Sequence, residues 1–309
     1  MLANELGLIR QIKALSRTPE QPARLNSPAG PTLNFLFFLT VQNDVYVGRK
    51  LLTQTTDRGW QQSSCLLPDH LLGKLFKINY GDSGFSISFT PLAEVDKNNL
   101  FEAAIHHSTS DIYFPFPLLD STGQECVLSQ ADWADAAAQA EQLDQDERHF
   151  RDYCTTFLKP LMTPNTLLYD PACSTGTFIG CMARAFPETH CIGSDHSPAM
   201  IEHARLRHPA LEFHNADAAT MVQTVSRCDV LFLRFLNAEV LYRDDAHDLF
   251  CTFARALKPG ALLIMFGHTP VLVNVSYWAK KLGLTLKSSL AAREGHLELF
   301  EFYVLEAQP

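Results

Sequence analysis

The sequence predicts an α/β protein, with a doubly wound parallel sheet over residues 129–309 and a β-containing accessory domain over residues 1–128. Three observations carry this. From Leu167 to Gly283 short apolar runs alternate with helix-patterned stretches, the signature of successive βαβ units. Before Ser129 the texture is instead strand-like, with Phe- and Val-rich runs and a hairpin signal. A length of 309 residues leaves room for about two domains at ~150 residues each.

The elements follow in order. The opening MLANELGLIRQIKALSR carries Glu5 early and lacks the continuous apolar run of a secretory signal, so it reads as an amphipathic helix packed on the protein. Ser16 to Pro31 holds four prolines and Gly30 and reads as a loop or linker. Leu33 to Val47 is β-like. Leu75–Tyr80 and Phe85–Thr90 flank Gly81-Asp82-Ser83-Gly84, a hairpin with a four-residue turn. Asp111–Leu119 is aromatic, and its two prolines suit an edge strand or a pocket wall. At residues 125–130 the texture changes. Ser129 with Asp132 forms a weak capping box before an Ala-rich, acidic helix that ends near Pro160. Trp278–Gly283 reads as a helix, and Leu284–Leu290 and Leu299–Ala307 as a closing pair of strands.

Composition excludes several classes. With 46% apolar and 19% charged residues the chain has the material for a core. The first part carries 10 basic and 12 acidic residues and the rest 15 and 22, so neither has the basic excess that nucleic acid or an anionic membrane asks for. No run approaches the ~18–20 apolar residues that span a bilayer. The eight cysteines are dispersed, with no Cys-x-x-Cys and no Cys/His cluster at metal spacing, and read as reduced, small apolar residues. The expectation is a cytoplasmic globular protein with a small-molecule substrate, no metal and no nucleic-acid or membrane partner. Oligomeric state is not legible.

The chemistry concentrates in three strand ends. Leu167–Tyr169 is an apolar strand ending in Asp170, followed by a turn of small residues (Ala172, Ser174, Gly176) and a helix, which lets backbone approach a ligand beside free helix N–H groups. His190–Asp195 ends in an acid 25 positions after Asp170, where a doubly wound sheet takes ribose hydroxyls. Leu211–His214 leads into Asn215-Ala216-Asp217, an amide and an acid suited to an adenine amino group. One such aspartate reads as a cap or turn residue. Three at successive strand ends read as a nucleotide site.

DPACSTG, GSDHSPAMIEHAR, NADA, CDVLFLRFLN and FARALKPGALLIM together resemble the class I S-adenosylmethionine-dependent methyltransferase superfamily, over roughly Ser129 to Ala307. The Asp195-His196-Ser197 stretch with Met200-Ile201, and Leu257-Lys258-Pro259-Gly260, are its most specific parts. The resemblance implies a seven-stranded Rossmann-like sheet closed by an antiparallel hairpin, with S-adenosylmethionine as cofactor. It places Asp170 and Ala172–Gly176 at the methionine portion, Asp195 at the ribose and Ala216-Asp217 at the adenine. His196 would touch adenosine, while Arg234, Phe235 and Asn237 line the acceptor side. Tyr169, Phe178, Tyr113, Phe114 and Phe116 read first as packing, with one or two of the five candidates to face the sulfonium, and Tyr169 counts among the candidate cofactor residues. His268, just past the fifth strand, is the candidate base, and Tyr113 and Asn237 complete the candidate catalytic set. The first motif departs from the family in carrying Ala172 and Ser174 where glycines are usual. In that respect it is similar to members that use the aminocarboxypropyl arm, isonocardicin synthase and the azetidine-2-carboxylate synthases among them.

Competing readings are weaker. Ala172–Gly176 imitates a nucleophile elbow around Ser174, with His268 and His296 available, but no oxyanion loop accompanies it and the later motifs stay unexplained. DPAC resembles DNA adenine methyltransferases, yet the chain contains no Pro-Pro. Cys173 sits at a helix start that favours a thiolate, and reads instead as turn filler. The histidines at 106, 107 and 149 read as surface or packing residues. Methyl transfer to a small, secondary-metabolite type acceptor is the first expectation. Attack at the γ-carbon with release of methylthioadenosine, by an acceptor or by ring closure, comes next. A catalytically silent scaffold is third, disfavoured by the intact acids.

Overall fold

The computed structural model describes residues 22–27, 30, 34–50, 53–55, 59–61, 65–81, 84–127 and 147–308. The N-terminal helix expected before residue 18, the Ser129–Asp132 capping pair and the Ala-rich first part of the following helix lie outside these residues. The chain divides into two compact units. Unit 1 comprises Met1–Val127, Thr269–Leu272 and Ser288–Phe302; unit 2 comprises Leu128–His268, Val273–Lys287 and Tyr303–Pro309.

Unit 1 contains β1 (Ala23–Ser27), β2 (Leu36–Val41), β3 (Asp44–Arg49), β4 (Thr53–Thr55), β5 (Gly59–Gln61), β6 (Leu71–Gly81), β7 (Gly84–Pro91), the helix α1 (Glu94–His106) and β8 (Asp111–Tyr113). Six of these strands form an antiparallel sheet in the order β1-β7-β6-β3-β2-β8, and β4 and β5 pair separately. The β2–β3 hairpin turns on Gln42 and Asn43, both left-handed (φ 51° and 72°), as a two-residue turn matched to strand twist requires. The proline-rich segment expected to be a loop contains β1, which pairs with β7 from Ala23↔Phe89 to Ser27↔Phe85. It survives because it is an edge strand bracketed by Pro22 and Pro28, where a missing N–H costs no ladder bond. The helix α1 was not legible: Ala93 gives it no side-chain cap, and its apolar residues make no clear stripe. Phe101 and Ala104 nevertheless bury against Phe37, Leu39, Ile112 and Phe114. The same core takes in Leu290 and Leu299 from the late stretch of unit 1, and Leu66 exchanges backbone hydrogen bonds with Leu299 (2.6 and 3.0 Å).

Unit 2 begins, among the described residues, with α2 (Arg148–Leu158), then β9 (Leu167–Asp170), α3 (Thr177–Ala185), β10 (His190–Asp195), α4 (Pro198–Arg207) and β11 (Glu212–Asn215). There follow α5 (Val222–Val225), β12 (Val230–Leu233), α6 (Arg243–Ala256), β13 (Leu262–Met265), α7 (Val275–Leu282), and the long strands β14 (Leu284–Ala292) and β15 (Leu299–Ala307), whose outer parts belong to unit 1. The sheet has seven strands in the order β11-β10-β9-β12-β13-β15-β14, as the sequence predicts. The first five are parallel and β15 runs antiparallel to β13, from Leu262↔Glu306 to Met265↔Tyr303. β12 is Val-Leu-Phe-Leu and buried throughout, as a central strand covered on both faces must be. Ser197 caps α4 ahead of Pro198, and left-handed Gly283 stops α7. The chain runs outward from β9 to β10 and β11, then returns to β12 on the other side. The crevice of the sheet therefore lies between the loops that follow β9 and β12.

Candidate active site

The turn after β9 is built by its neighbours. Cys173 N–H donates to the Ser194 carbonyl (2.8 Å), and Ser174 N–H donates to Asp195 Oδ2 (2.9 Å), tying the turn to the end of β10. Ser174 adopts φ 50° and Gly176 φ 77°, so the left-handed backbone that glycine usually supplies is present even where the residue is serine. A Cβ at Gly176 would lie 2.9 Å from the Phe213 ring, and one at Gly193 2.9 Å from Cys173 Sγ. These glycines are what let β9, β10 and β11 converge on the turn. Cys173 is enclosed (1% exposed), and burial together with Asp170 and Asp195 pushes its thiol up. That agrees with a packing residue and not with a nucleophile.

The candidate cofactor residues fall into two groups. Asp195, Asn215, Ala216 and Asp217 gather at the ends of β10 and β11. Asp195 Oδ1 accepts from Ser197 N–H (2.9 Å), so two backbone amides fix its carboxylate. Asn215 Nδ2 donates to the carbonyls of Asp195 (3.1 Å) and His196 (3.0 Å), and Ala216 N–H donates to the Asp195 carbonyl (3.0 Å). Asp217 is exposed, with Oδ1 accepting from Ala219 N–H (2.8 Å). His196 is exposed and lies 3.5 Å from Asp195 Oδ1.

The second group is buried. Asp170 is fully enclosed: Oδ1 accepts from Ala172 N–H (3.3 Å) and Oδ2 from Arg234 Nε (3.1 Å). Arg234 also donates to Glu147 Oε2 (2.9 Å), and its guanidinium lies 4.5 Å over the Phe178 ring. Phe178 packs in turn against Phe232 and Phe266. Burial opposes the Arg234 charge, but Asp170 and Glu147 outweigh it and hold the guanidinium above its ordinary value. Burial likewise pushes Asp170 up, against the pull of the same guanidinium. Tyr169 is also fully buried, with its hydroxyl 2.7 Å from Ser194 Oγ. Burial raises that phenol.

The candidate catalytic residues fall on separate elements. Asn237 is buried in the loop after β12, and His268 is half-buried just past β13. Tyr113 belongs to unit 1, on β8 opposite Phe38 of β2. Two residues escaped the sequence reading. Glu147 precedes α2 and is distant in sequence from any motif. Glu239, after β12, is left-handed (φ 77°) and half-buried, and burial pushes its carboxyl up to about 7. Its only sequence signal was an acid beside Asn237 in the otherwise apolar Phe235–Leu241 stretch.

The residues fit S-adenosylmethionine. Left-handed Gly176 turns the chain into the N–H groups of α3, Asp195 is fixed at the end of β10, and Asp217 follows β11. A family model described as a methyltransferase domain matches residues 169–260. The isonocardicin synthase of Nocardia uniformis is 35% identical over 280 residues, covering 87% of this chain and 90% of that protein. A trans-aconitate 2-methyltransferase of Methylobacterium radiotolerans is 38% identical over 104 residues, 34% of this chain and 38% of that protein. Among solved structures, the magnesium protoporphyrin IX methyltransferase of Synechocystis aligns over 54% of this chain and 83% of its own, at 14% identity and a TM-score of 0.41. The chain belongs to the family that includes isonocardicin synthase, within the class I methyltransferase superfamily, and is an S-adenosylmethionine-dependent transferase.

Proposed function

We propose that this enzyme directs attack to the γ-carbon of S-adenosylmethionine, releasing methylthioadenosine, in the biosynthesis of a small molecule. One observation carries the reading: the similarity to isonocardicin synthase covers 87% of the chain, the accessory region included, and is not confined to the cofactor domain. The Ala172 and Ser174 departures of the first motif support it. So does the enclosure of Asp170 by Arg234, which removes from the methionine side a carboxylate that would otherwise meet the ammonium. A methionine arm held differently presents a different carbon.

Bound S-adenosylmethionine supplies a carbon activated by the adjoining sulfonium, so alignment and exclusion of water are the protein's main tasks. In this reading Asp195, stiffened by the Ser174 and Ser197 amides, accepts from the ribose hydroxyls. The free oxygen of Asp217 takes the adenine amine, and Ala216 and His196 border the nucleoside. The turn from Ala172 to Gly176 and the start of α3 receive the methionine carboxylate. Tyr169, Asp170 and Arg234 act behind the turn by fixing its shape. On the acceptor side the reading takes in Asn237 and His268. The acceptor is a small molecule.

Methyl transfer is the second reading, favoured by the trans-aconitate 2-methyltransferase match over a third of the chain. Incubation with S-adenosylmethionine alone, then with a cellular metabolite pool, separates the two by mass. Methylthioadenosine is expected, with a cyclic amino acid if the cofactor's own amine attacks, or with an aminocarboxypropyl adduct if an acceptor does. S-adenosylhomocysteine as the product overturns the proposal, and binding without either product returns the silent scaffold.

A further inference from the structure

We infer that Glu239 takes the proton from the attacking atom of the acceptor. The inference rests on the reading that the enzyme aligns an acceptor nucleophile with S-adenosylmethionine, and deepens it by naming the base. The crevice of the sheet lies between the loops after β9 and β12. Each loop holds one non-glycine residue in the left-handed region, Ser174 at φ 50° and Glu239 at φ 77°. A glutamate has no short side chain to bond its own backbone in that conformation, so the surrounding fold must impose it. The Asn237 carbonyl accepts from the N–H groups of Val240 (3.3 Å) and Leu241 (3.4 Å), closing the turn around Glu239, and Asn237 and Ala238 are buried on its N-terminal side.

The two buried acids at this edge are engaged: Asp170 by Arg234 and Ala172, Asp195 by Ser174 and Ser197. Among the described residues Glu239 has no hydrogen-bond or ion-pair partner, and burial is the cause that sets its proton affinity, with no neighbouring charge contributing. A carboxylate so placed gains most by meeting a proton donor from a ligand, and a base titrating near neutrality is matched to that task. The acceptor's O–H or N–H gives its proton to a Glu239 oxygen as its lone pair bonds to the activated carbon. The carbon–sulfur pair stays on sulfur and cancels its charge, and Glu239 then returns the proton to water.

The test uses the full chain and its E239Q, E239D and H268N variants. Calorimetry reads S-adenosylmethionine binding, and difference infrared spectroscopy follows the carboxyl that E239Q removes. Total nucleoside thioether formed with a cellular metabolite pool is measured against pH. The expected result is binding within about twofold of wild type in E239Q, a carboxyl band titrating near 7, and a rate reduced by about 10²–10⁴-fold. The wild-type rate should rise with pH to a plateau above about 7, E239Q should lose that limb, and E239D should recover part of the rate. A folded E239Q that keeps its rate within about threefold overturns the inference, as does a limb abolished by H268N alone or a band titrating at the ordinary 4.5. A wild type that binds the cofactor and forms no product defeats the functional reading itself, whatever the infrared titration shows.

Discussion

Arg234 is held on three sides, by Asp170, by Glu147 and by the Phe178 ring, with only 9% of its side chain exposed. A buried pair of this kind adds little net stability, but removing one partner leaves the other as an uncompensated charge. Arg234→Ala is therefore expected to cost about 3–5 kcal/mol in urea denaturation, and the Arg234→Met/Asp170→Asn double variant distinctly less. An additive double variant would show that the two residues do not act as a unit. Glu239 gives a second prediction, on stability rather than catalysis. Its carboxyl is raised from 4.5 to about 7 on folding, so its contribution is complete below pH about 4.5 and is lost as pH rises through about 7. Wild type should lose at most about 1.4 kcal/mol for each pH unit across that window relative to Glu239→Gln, read from denaturant midpoints at matched pH. Parallel curves for the two proteins would contradict the assignment.

At the scale of elements, glycines mark where segments meet, and what each faces decides the cost of filling it. A Cβ at Gly73 of β6 would run into the Thr90 carbonyl and the Pro91 backbone of β7, which cannot yield without breaking the ladder. A Cβ at Gly180 of α3 would meet the His208 ring at 2.5 Å, but a ring can swing aside, and alanine restores about 1 kcal/mol of helix propensity. Gly73→Ala is expected to cost about 3 kcal/mol or more and Gly180→Ala about 1 kcal/mol or less, checked by thermal or urea unfolding. The same contrast explains what was legible in the sequence. β9, β10, β12 and β13 are short apolar runs closed by acids or turn signals, and their order followed from alternation with helices. The strand β1 was hidden by its flanking prolines, and α1 by the lack of a cap and of an apolar stripe. Among the candidate site residues, Asp195 was readable because it ends β10 and Asp217 because it follows β11. The pairing of Arg234 with Asp170 and Glu147 was not, because it joins residues 64 and 87 positions apart.

At the scale of the whole molecule, unit 1 is not contained in the first part of the chain. Its core takes Leu290 and Leu299 from the last sixth of the sequence, Leu66 is bonded to Leu299, and the Ser289 hydroxyl donates to the Ser110 carbonyl. Deleting residues 1–127 strips these partners and lays bare two leucines that are 8% and 0% exposed. The truncated chain is expected to aggregate or to lose cooperative unfolding, measured by scattering and calorimetry against the full chain. A soluble, cooperatively melting remainder would contradict this.

The interleaving of the two units has an evolutionary corollary. The chain passes between them five times, at residues 127/128, 268/269, 272/273, 287/288 and 302/303. A single genetic crossover between two relatives would join the early strands of one parent to the late strands of the other, inside one packed core. Viable recombinants must exchange three separated stretches at once, so variation of unit 1 in this lineage should arise by point substitution, and not by shuffling it as a cassette.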